Sequence, residues 1–407
     1  MKSTSSALTS NAPLYWLALG TFAVGTEGFM IAGLLPGMAI DLSVSVAAAG
    51  QLVTVFAFAY AISSPLLTTA TANINRRKLM IVAMALFSLA NMIAWSAHGY
   101  WALMGARILL SFAAGVYVPG ANALAGASAA PERRGSALAI VNGGISIAIV
   151  FGVPLGALVG ERLGWRMTFA GVAALAAVAT VGLLVGLPRS IGEGIPTASL
   201  RERISTAGKP VILLTLLVTT LWATGGYTIY TYLAPFMASA TRIHGGQIGI
   251  VLFMWGVAAA IGVTIGGKAV DRIGFRAVIV PCLVVTIAAF LSLSSSAHFL
   301  SKSLALAPIF IAIAAWGGAH WAFYPGQQAG LIHAAGLKAA SIVLSLNASF
   351  MYLGFSLGAA LGSLTLTYCS PADLGWVAAA CEVAALSLTL MLGRHATANC
   401  ASVAVRA

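Results

Sequence analysis

The sequence predicts an all-α integral membrane protein, with twelve transmembrane helices arranged as two pseudo-symmetric six-helix bundles. Three observations lead there. Of the 407 residues, 60% are hydrophobic and only 7% charged, against about 25% charged in a soluble domain, so lipid must cover most of the surface. The apolar runs are long and do not alternate, which excludes a barrel and leaves helices as the structure whose backbone is satisfied in lipid. Finally, one long polar stretch, PRSIGEGIPTASLRERISTAGKP at 188–210, has six apolar segments on either side, each with room for the roughly 20 residues a span requires. The chain is expected to divide into a first bundle at 1–187, a linker at 188–210, and a second bundle with a short tail at 211–407.

Charge sets the expected orientation, because Lys and Arg collect in cytoplasmic loops. With the amino terminus inside, sixteen of the 21 Lys and Arg fall in inside segments and four (Arg162, Arg166, Arg242 and Lys302) outside, while Arg107 lies within a span. Both termini and the linker are therefore expected in the cytoplasm, with the chain in a bacterial-type inner membrane. A net charge of +12 would suggest nucleic acid for a soluble protein. Here the loops account for it, and no nucleic-acid partner is expected. Residues 1–13 carry one charge, Lys2, and the apolar run from Leu14 is of full span length, so it reads as the first span and not as a cleaved signal. The four cysteines, Cys282, Cys369, Cys381 and Cys400, lack metal spacing and read as packing residues. No metal and no cofactor is expected.

In chain order, span 1 (Leu14–Met38) contains Glu27 in GTEGFM, with Gly20, Gly25, Gly28 and Gly33 allowing close approach of neighbours. Span 2 (Ala48–Ala70) carries Gln51 and Thr54, and the loop TANINRRK leads to span 3 (Leu79–Ala97). In span 4 (Tyr100–Ser128), Arg107, Ser111, Gly115, Val118 and Asn122 recur at helical spacing and make one small, polar face directed into a bundle interior. Span 5 (Ala137–Gly160) places Asn142 and Ser146 on one face and carries FGVPLGALVG, with Pro154 between Gly152 and Gly156. Span 6 is Met167–Leu187.

After the linker, span 7 (Val211–Met237) offers Trp222, Tyr227, Tyr230 and Thr231. Span 8 (Gln247–Gly267) and span 9 (Ala277–Ser296) flank the loop KAVDRIGFR. Span 10 (Leu304–Ala329) carries Trp316, His320, Tyr324 and Gln327 on one face, and span 11 (Ala340–Thr367) has Asn347 and a Gly354, Gly358, Gly362 ladder. Span 12 (Leu374–Leu392) contains Glu382, read as a peripheral or snorkelling acid.

The halves correspond. A basic loop follows the second span of each, NINRRK at 73–78 and DRIGFR at 271–276, and AAPERRGSALAIVN at 129–142 aligns with AAGLKAASIVLSLN at 334–347, matching Asn142 to Asn347. Internal repeats of this kind mark secondary transporters, whose site lies at the midplane between the repeats.

With these residues the chain resembles the major facilitator superfamily, in particular its twelve-span drug:proton antiporters, over nearly its whole length. The loop GGKAVDRIGFR at 266–276 matches the signature G-x-x-x-D-R-x-G-x-R, whereas the equivalent first-half loop has Asn73 or Asn75 where an aspartate is usual. Arg107 in GARILLSFAAG looks like the family's fourth-helix arginine motif. GVPLG looks like a degenerate antiporter motif (Gly152, Pro154, Gly156), and GTEGFMIAGLLP resembles the acidic first span of sugar, nucleoside and chloramphenicol-type exporters. The resemblance implies the major facilitator fold, alternating access and proton exchange.

The expected roles follow. An acid within a span is a functional candidate and a buried arginine needs a partner, so Glu27 and Arg107 are assigned to proton coupling. Gln51, Ser111, Asn142, Tyr227, Tyr230, Trp316, His320, Tyr324 and Asn347 are assigned to a substrate cavity, since aromatic bodies with polar handles line ligand pockets. They also fit ordinary helix packing. Asp271, Arg272 and Arg276 are assigned to a gating loop. The leading function is proton-coupled efflux of a drug, sugar or nucleoside-like small molecule by a monomer. Uptake or facilitated diffusion is the alternative within transport, and a receptor or scaffold the alternative outside it. No H-E-x-x-H, G-x-S-x-G or nucleotide-binding loop is present, so neither an intramembrane enzyme nor an ATP-driven pump is expected.

Overall fold

The computed structural model describes residues 11–130, 133–189, 191–192 and 198–404, with side chains described as far as Gly393. Residues 190 and 193–197 of the expected linker lie outside the described residues, as do the first ten residues, including Lys2, and Arg406. Among the described residues there is no strand. Helices α1 (Ala12–Asp41), α2 (Val46–Ala70), α3 (Arg76–Ser96), α4 (Tyr100–Ser128), α5 (Arg134–Ile147), α6 (Val153–Leu163) and α7 (Trp165–Gly186) precede the short α8 (Leu200–Ala207). After it come α9 (Pro210–Tyr230), the short α10 (Leu233–Ala240), α11 (Gln247–Ile273), α12 (Phe275–Phe299), α13 (Leu306–Ala335), α14 (Ala340–Tyr368) and α15 (Leu374–Ala404). Counting α5 and α6 as one, twelve of these are long and apolar enough to cross a membrane.

The helix ends have local causes. Ser45 accepts from the Ala48 amide at 3.0 Å and Asn75 from the Lys78 amide at 3.2 Å, capping α2 and α3. Ser370 and Asp373 form a capping box before α15. The turns between α6 and α7 and between α11 and α12 each use one glycine at positive φ, Gly164 at 87° and Gly274 at 83°, a conformation that a side chain resists. The sequences match too, E-R-L-G-W-R against D-R-I-G-F-R.

Two prolines break the regular pattern. Pro154 has no amide hydrogen for its helix, and Ala148–Gly152 immediately before it opens into a π turn that joins α5 to α6. Pro235 likewise leaves the Thr231 carbonyl without an i→i+4 partner. Span 7, expected to run unbroken to Met237, instead stops at Tyr230 and resumes at Leu233 as α10.

The chain forms two compact units. The first runs to Leu200 and includes Ile243–Gly256, while the second comprises Arg201–Arg242 and Val257 onward. Within the first, α1 packs on α5, α6 and α7, and α3 and α4 pack together. Glycines set the closest contact: Gly144 lies against Thr21, Gly152 against Thr26, Gly156 against Met30 and Gly160 against Leu34. Within the second, α9 packs on α14 and α15, and α12 on α13. There Gly354, Gly358 and Gly362 lie against Thr220, Thr224 and Thr228 of α9. In both units the first and fifth spans thus meet through small residues, the means by which helices approach closely where no water drives them together.

Polar ties fix one end of each unit. Trp165 Nε1 donates to Asp41 at 2.9 Å and Arg166 pairs with the same carboxylate. In the second unit His298 pairs with Asp373 at 2.8 Å and stacks on Trp376 at 4.5 Å.

Candidate functional site

In the first unit, Glu27 and Arg107 form an ion pair with both side chains fully excluded from solvent. Arg107 lies on α4, whose Gly115, two turns further on, packs closely against Ser63 and Ser64 of α2. The guanidinium is held from three directions. Its Nη1 meets Glu27 Oε1 of α1, its Nε donates to the Leu52 carbonyl of α2 at 3.2 Å, and its plane lies 4.2 Å from the Phe56 ring centroid. Carboxylate, carbonyl and ring face each stabilise a charge that arginine cannot shed. The second carboxylate oxygen of Glu27 is buried without a hydrogen bond, so the acid retains capacity for a further proton or donor.

The remaining expected residues of this unit are placed differently. Ser111 is buried and donates to the Ile108 carbonyl of its own helix at 2.7 Å. Gln51 is half-buried. Asn142 donates to Asn122 at 2.9 Å, tying α5 to the lower part of the α4 stripe. The antiporter-like motif faces α1: Gly152 and Gly156 make helix contacts and Pro154 sets the π turn.

The second unit holds a larger polar and aromatic constellation. Trp222 of α9 stacks on His320 of α13 at 4.2 Å and donates its indole hydrogen to the His320 carbonyl at 3.1 Å. Phe323 and Tyr324 stack on the same indole at 5.0 and 5.9 Å. Tyr227 stacks on Phe355 at 3.7 Å, and Tyr230 meets Trp316 edge-on at 6.4 Å. A hydrogen-bonded chain lies beside them. Gln327 donates to Thr219 at 2.9 Å, and Thr219 donates to Asn347 at 2.6 Å. The aromatic cavity residues expected on spans 7 and 10 therefore come together, with Asn347, inside one unit.

Glu382 is the correction. The expectation put it at the periphery, yet its side chain is fully buried and lies 3.4 Å from His320 Nδ1. It comes inward because Gly225 of α9 leaves room for it: a Cβ there would stand 3.0 Å from Glu382 Oε1. Trp222 is likewise a member of the constellation that the expected site lacked. The signal available in the sequence was the Gly225–Gly226 pair one turn after Trp222.

Asp271, Arg272 and Arg276 are all exposed around the Gly274 turn, and among the described residues Asp271 makes no ion pair. No group of His, Cys, Asp and Glu suited to a metal occurs among the described residues.

The family model "Major Facilitator Superfamily" matches residues 17–359. The MFS-type transporter YbcL of Bacillus subtilis (strain 168) is 32% identical over 382 residues, covering 93% of this chain and 95% of that protein. A chloramphenicol resistance protein of Streptomyces lividans is 31% identical over 262 residues, covering 64% of this chain and 67% of that protein. A crystal structure of the peptide transporter POT superposes with a TM-score of 0.76 over 95% of this chain and 96% of the other, at 11% identity, a likeness of fold. Twelve apolar helices, a repeated glycine contact between first and fifth spans, and a family match over most of the length lead to one assignment: the chain belongs to the major facilitator superfamily and is a multi-pass membrane transporter.

Proposed function

We propose that the chain exports a small molecule in exchange for protons, by alternating access, from a bacterial-type inner membrane with both termini cytoplasmic. The observation that carries the reading is the fully buried Glu27–Arg107 pair. An acid in a span is costly unless paired and is a functional group by default. A group that exchanges a proton must exist in two states, and this one does so beside a permanent cation. With Glu27 ionised the pair is neutral. With Glu27 protonated, Arg107 carries an uncompensated charge, and the pair must be opened to water or to a substrate group that takes the carboxylate's place.

The similarity to a chloramphenicol resistance protein supports outward transport of a drug-like molecule. The aromatic constellation of Trp222, Tyr227, Tyr230, Trp316 and Tyr324 in the second unit suits a largely apolar substrate with few polar groups, for which His320 and Asn347 supply polar contacts, and in the first unit Gln51, Ser111 and Asn142 are the polar candidates. Asp271, Arg272 and Arg276 act as the gating loop.

The test uses inside-out oriented proteoliposomes and radiolabelled chloramphenicol. An acid lumen should drive chloramphenicol into the vesicle and collapse of the pH gradient should stop it. Efflux of preloaded drug accelerated by that gradient would make the protein a symporter, and flux indifferent to the gradient would make it a facilitator. Either result refutes the proposal. A reporter active only in the periplasm, fused at residue 200, should be silent; activity there would reverse the orientation.

A further inference from the structure

The proposed function places the exchanged proton on Glu27 and gives no role to the second buried acid, Glu382, whose neighbour is His320. Their side chains are 0% and 4% exposed, and Glu382 Oε1 lies 3.4 Å from His320 Nδ1. Neither carboxylate oxygen has a hydrogen bond, nor has His320 Nδ1, so the two groups face each other without an aligned proton between them. Trp222 covers one face of the imidazole, Gly226 makes room for the ring, and Gly225 makes room for the carboxylate.

Among the described residues the surroundings supply no other charge. The helices packed on α13 and α15 are α9, α12 and α14, with the short turns Leu337–Ala339 and Pro371–Asp373, whose Lys338 is exposed and whose Asp373 pairs with His298, and α11 touches α13 at Gly318 and Ala322. Helices α9 and α14 contain no Lys, Arg, Asp or Glu. On α12, Arg276 is exposed and His298 pairs with Asp373; His333 of α13 and Lys268, Asp271 and Arg272 of α11 are exposed at helix ends. The titratable groups close by are Cys381 on Glu382's own helix, which interacts electrostatically with it, and Tyr227, Tyr230 and Tyr324 of the aromatic cluster. Among the described residues, His320 is thus the one group within ion-pair distance of Glu382.

Count protons and charge over the pair. With none, it is carboxylate and neutral imidazole, net −1. With two, it is carboxylic acid and imidazolium, net +1. With one, it is neutral overall, and because neither carboxylate oxygen nor His320 Nδ1 has a hydrogen bond to steady an ion pair, the uncharged arrangement of carboxylic acid beside neutral imidazole is the cheaper one. An unpaired charge inside a span is the costly state, so the sealed pair holds one proton. The Glu27–Arg107 pair is the reverse, because arginine does not titrate and the neutral state is the one without the extra proton. Two buried acids in equivalent apolar surroundings therefore rest in opposite protonation states, decided by whether the partner is arginine or histidine.

We propose that His320 and Glu382 form a proton-holding site inside the second unit, in which the pair shares one proton while sealed from water and yields it when water or a cationic group reaches Glu382. The site deepens the proton-coupled reading and rests on it for its purpose, but its existence is tested without transport.

The experiment is pH-difference infrared spectroscopy of the full-length protein in lipid, reading the C=O stretch of protonated carboxyl groups. Wild type should show a band from a dry carboxylic acid that disappears between about pH 5 and 9. Glu382→Gln should remove that band, Glu382→Asp should move its frequency, and Glu27→Gln should leave it in place. His320→Gln should shift the pH at which the band titrates by about 1 unit or more, the mark of coupled groups. A spectrum unchanged by Glu382→Gln overturns the proposal. A Glu382 band that persists through the whole range, or that titrates identically in His320→Gln, overturns it as well. Loss of gradient-driven chloramphenicol flux with this band intact would count against Glu27 alone.

Discussion

Consider removing one member of the Glu27–Arg107 pair at a time. Glu27→Gln leaves a guanidinium that is 0% exposed and cannot lose its proton. It keeps, among its contacts, the Leu52 carbonyl at 3.2 Å and the Phe56 ring face at 4.2 Å. The ring contact returns about 0.5–2 kcal/mol, and stranding one partner of a buried pair costs about 3–5 kcal/mol. Arg107→Met leaves a carboxyl, and a carboxyl can take up a proton and become a neutral polar group. That costs about 1–3 kcal/mol. The two substitutions should therefore differ by about 2 kcal/mol, roughly 30-fold in the unfolding equilibrium constant, although they delete the same contact. The double variant should be more stable than Glu27→Gln alone, because it no longer contains the stranded charge. The assay is unfolding in mixed micelles by SDS titration, followed by tryptophan fluorescence, for all four corners of the cycle. The reasoning fails if Arg107→Met costs as much as Glu27→Gln, or if the single effects add in the double variant, since additivity means no coupling.

Four further outcomes are expected. In proteoliposomes, Glu27→Gln should stop uphill, gradient-driven chloramphenicol export yet spare drug-for-drug exchange per folded protein; export against a gradient in this variant would place the proton elsewhere. Arg107→Lys should transport poorly, because a point charge cannot bond Glu27 and the Leu52 carbonyl while lying flat on Phe56, and wild-type flux in it would reduce Arg107 to a simple charge. Asp271→Asn should slow transport and leave the melting temperature unchanged, since Asp271 is exposed; an unaltered rate would remove the gating role. Gly358→Ala should destabilise by about 1–3 kcal/mol, because its Cβ would stand 2.9 Å from the Thr228 amide nitrogen of α9, and a melting curve indistinguishable from wild type would show that the helices yield.

Local chemistry was legible in the sequence. A span is defined by a run of apolar residues and a loop by its basic residues, so each expected span has its helix among α1–α7, α9 and α11–α15, although α9 ends before the expected Met237 and α15 runs past the expected Leu392. Proline acts on its own helix, so the π turn before Pro154 and the break before Pro235 each trace to a single residue, although both spans were expected to run unbroken. The Gly354, Gly358, Gly362 ladder did mark a close helix contact. What the sequence left open is which face of each apolar helix turns inward. In water the hydrophobic effect decides that, but lipid tails are as apolar as leucine and give no such bias. Span 12 is apolar all round, and Glu382 could be assigned to the periphery without conflict. The tertiary structure brought it inside because Gly225 and Gly226, more than 150 residues away in the chain, leave the space that the carboxylate and imidazole fill. The pairing of Glu27 with Arg107 was of the same kind. Each residue was conspicuous alone, but their contact across 80 residues of sequence depends on how closely α1, α2 and α4 pack. Composition and hydropathy determined that this chain lies in a membrane as twelve helices, and side-chain size at a few glycines and serines decided which of its few charges meet.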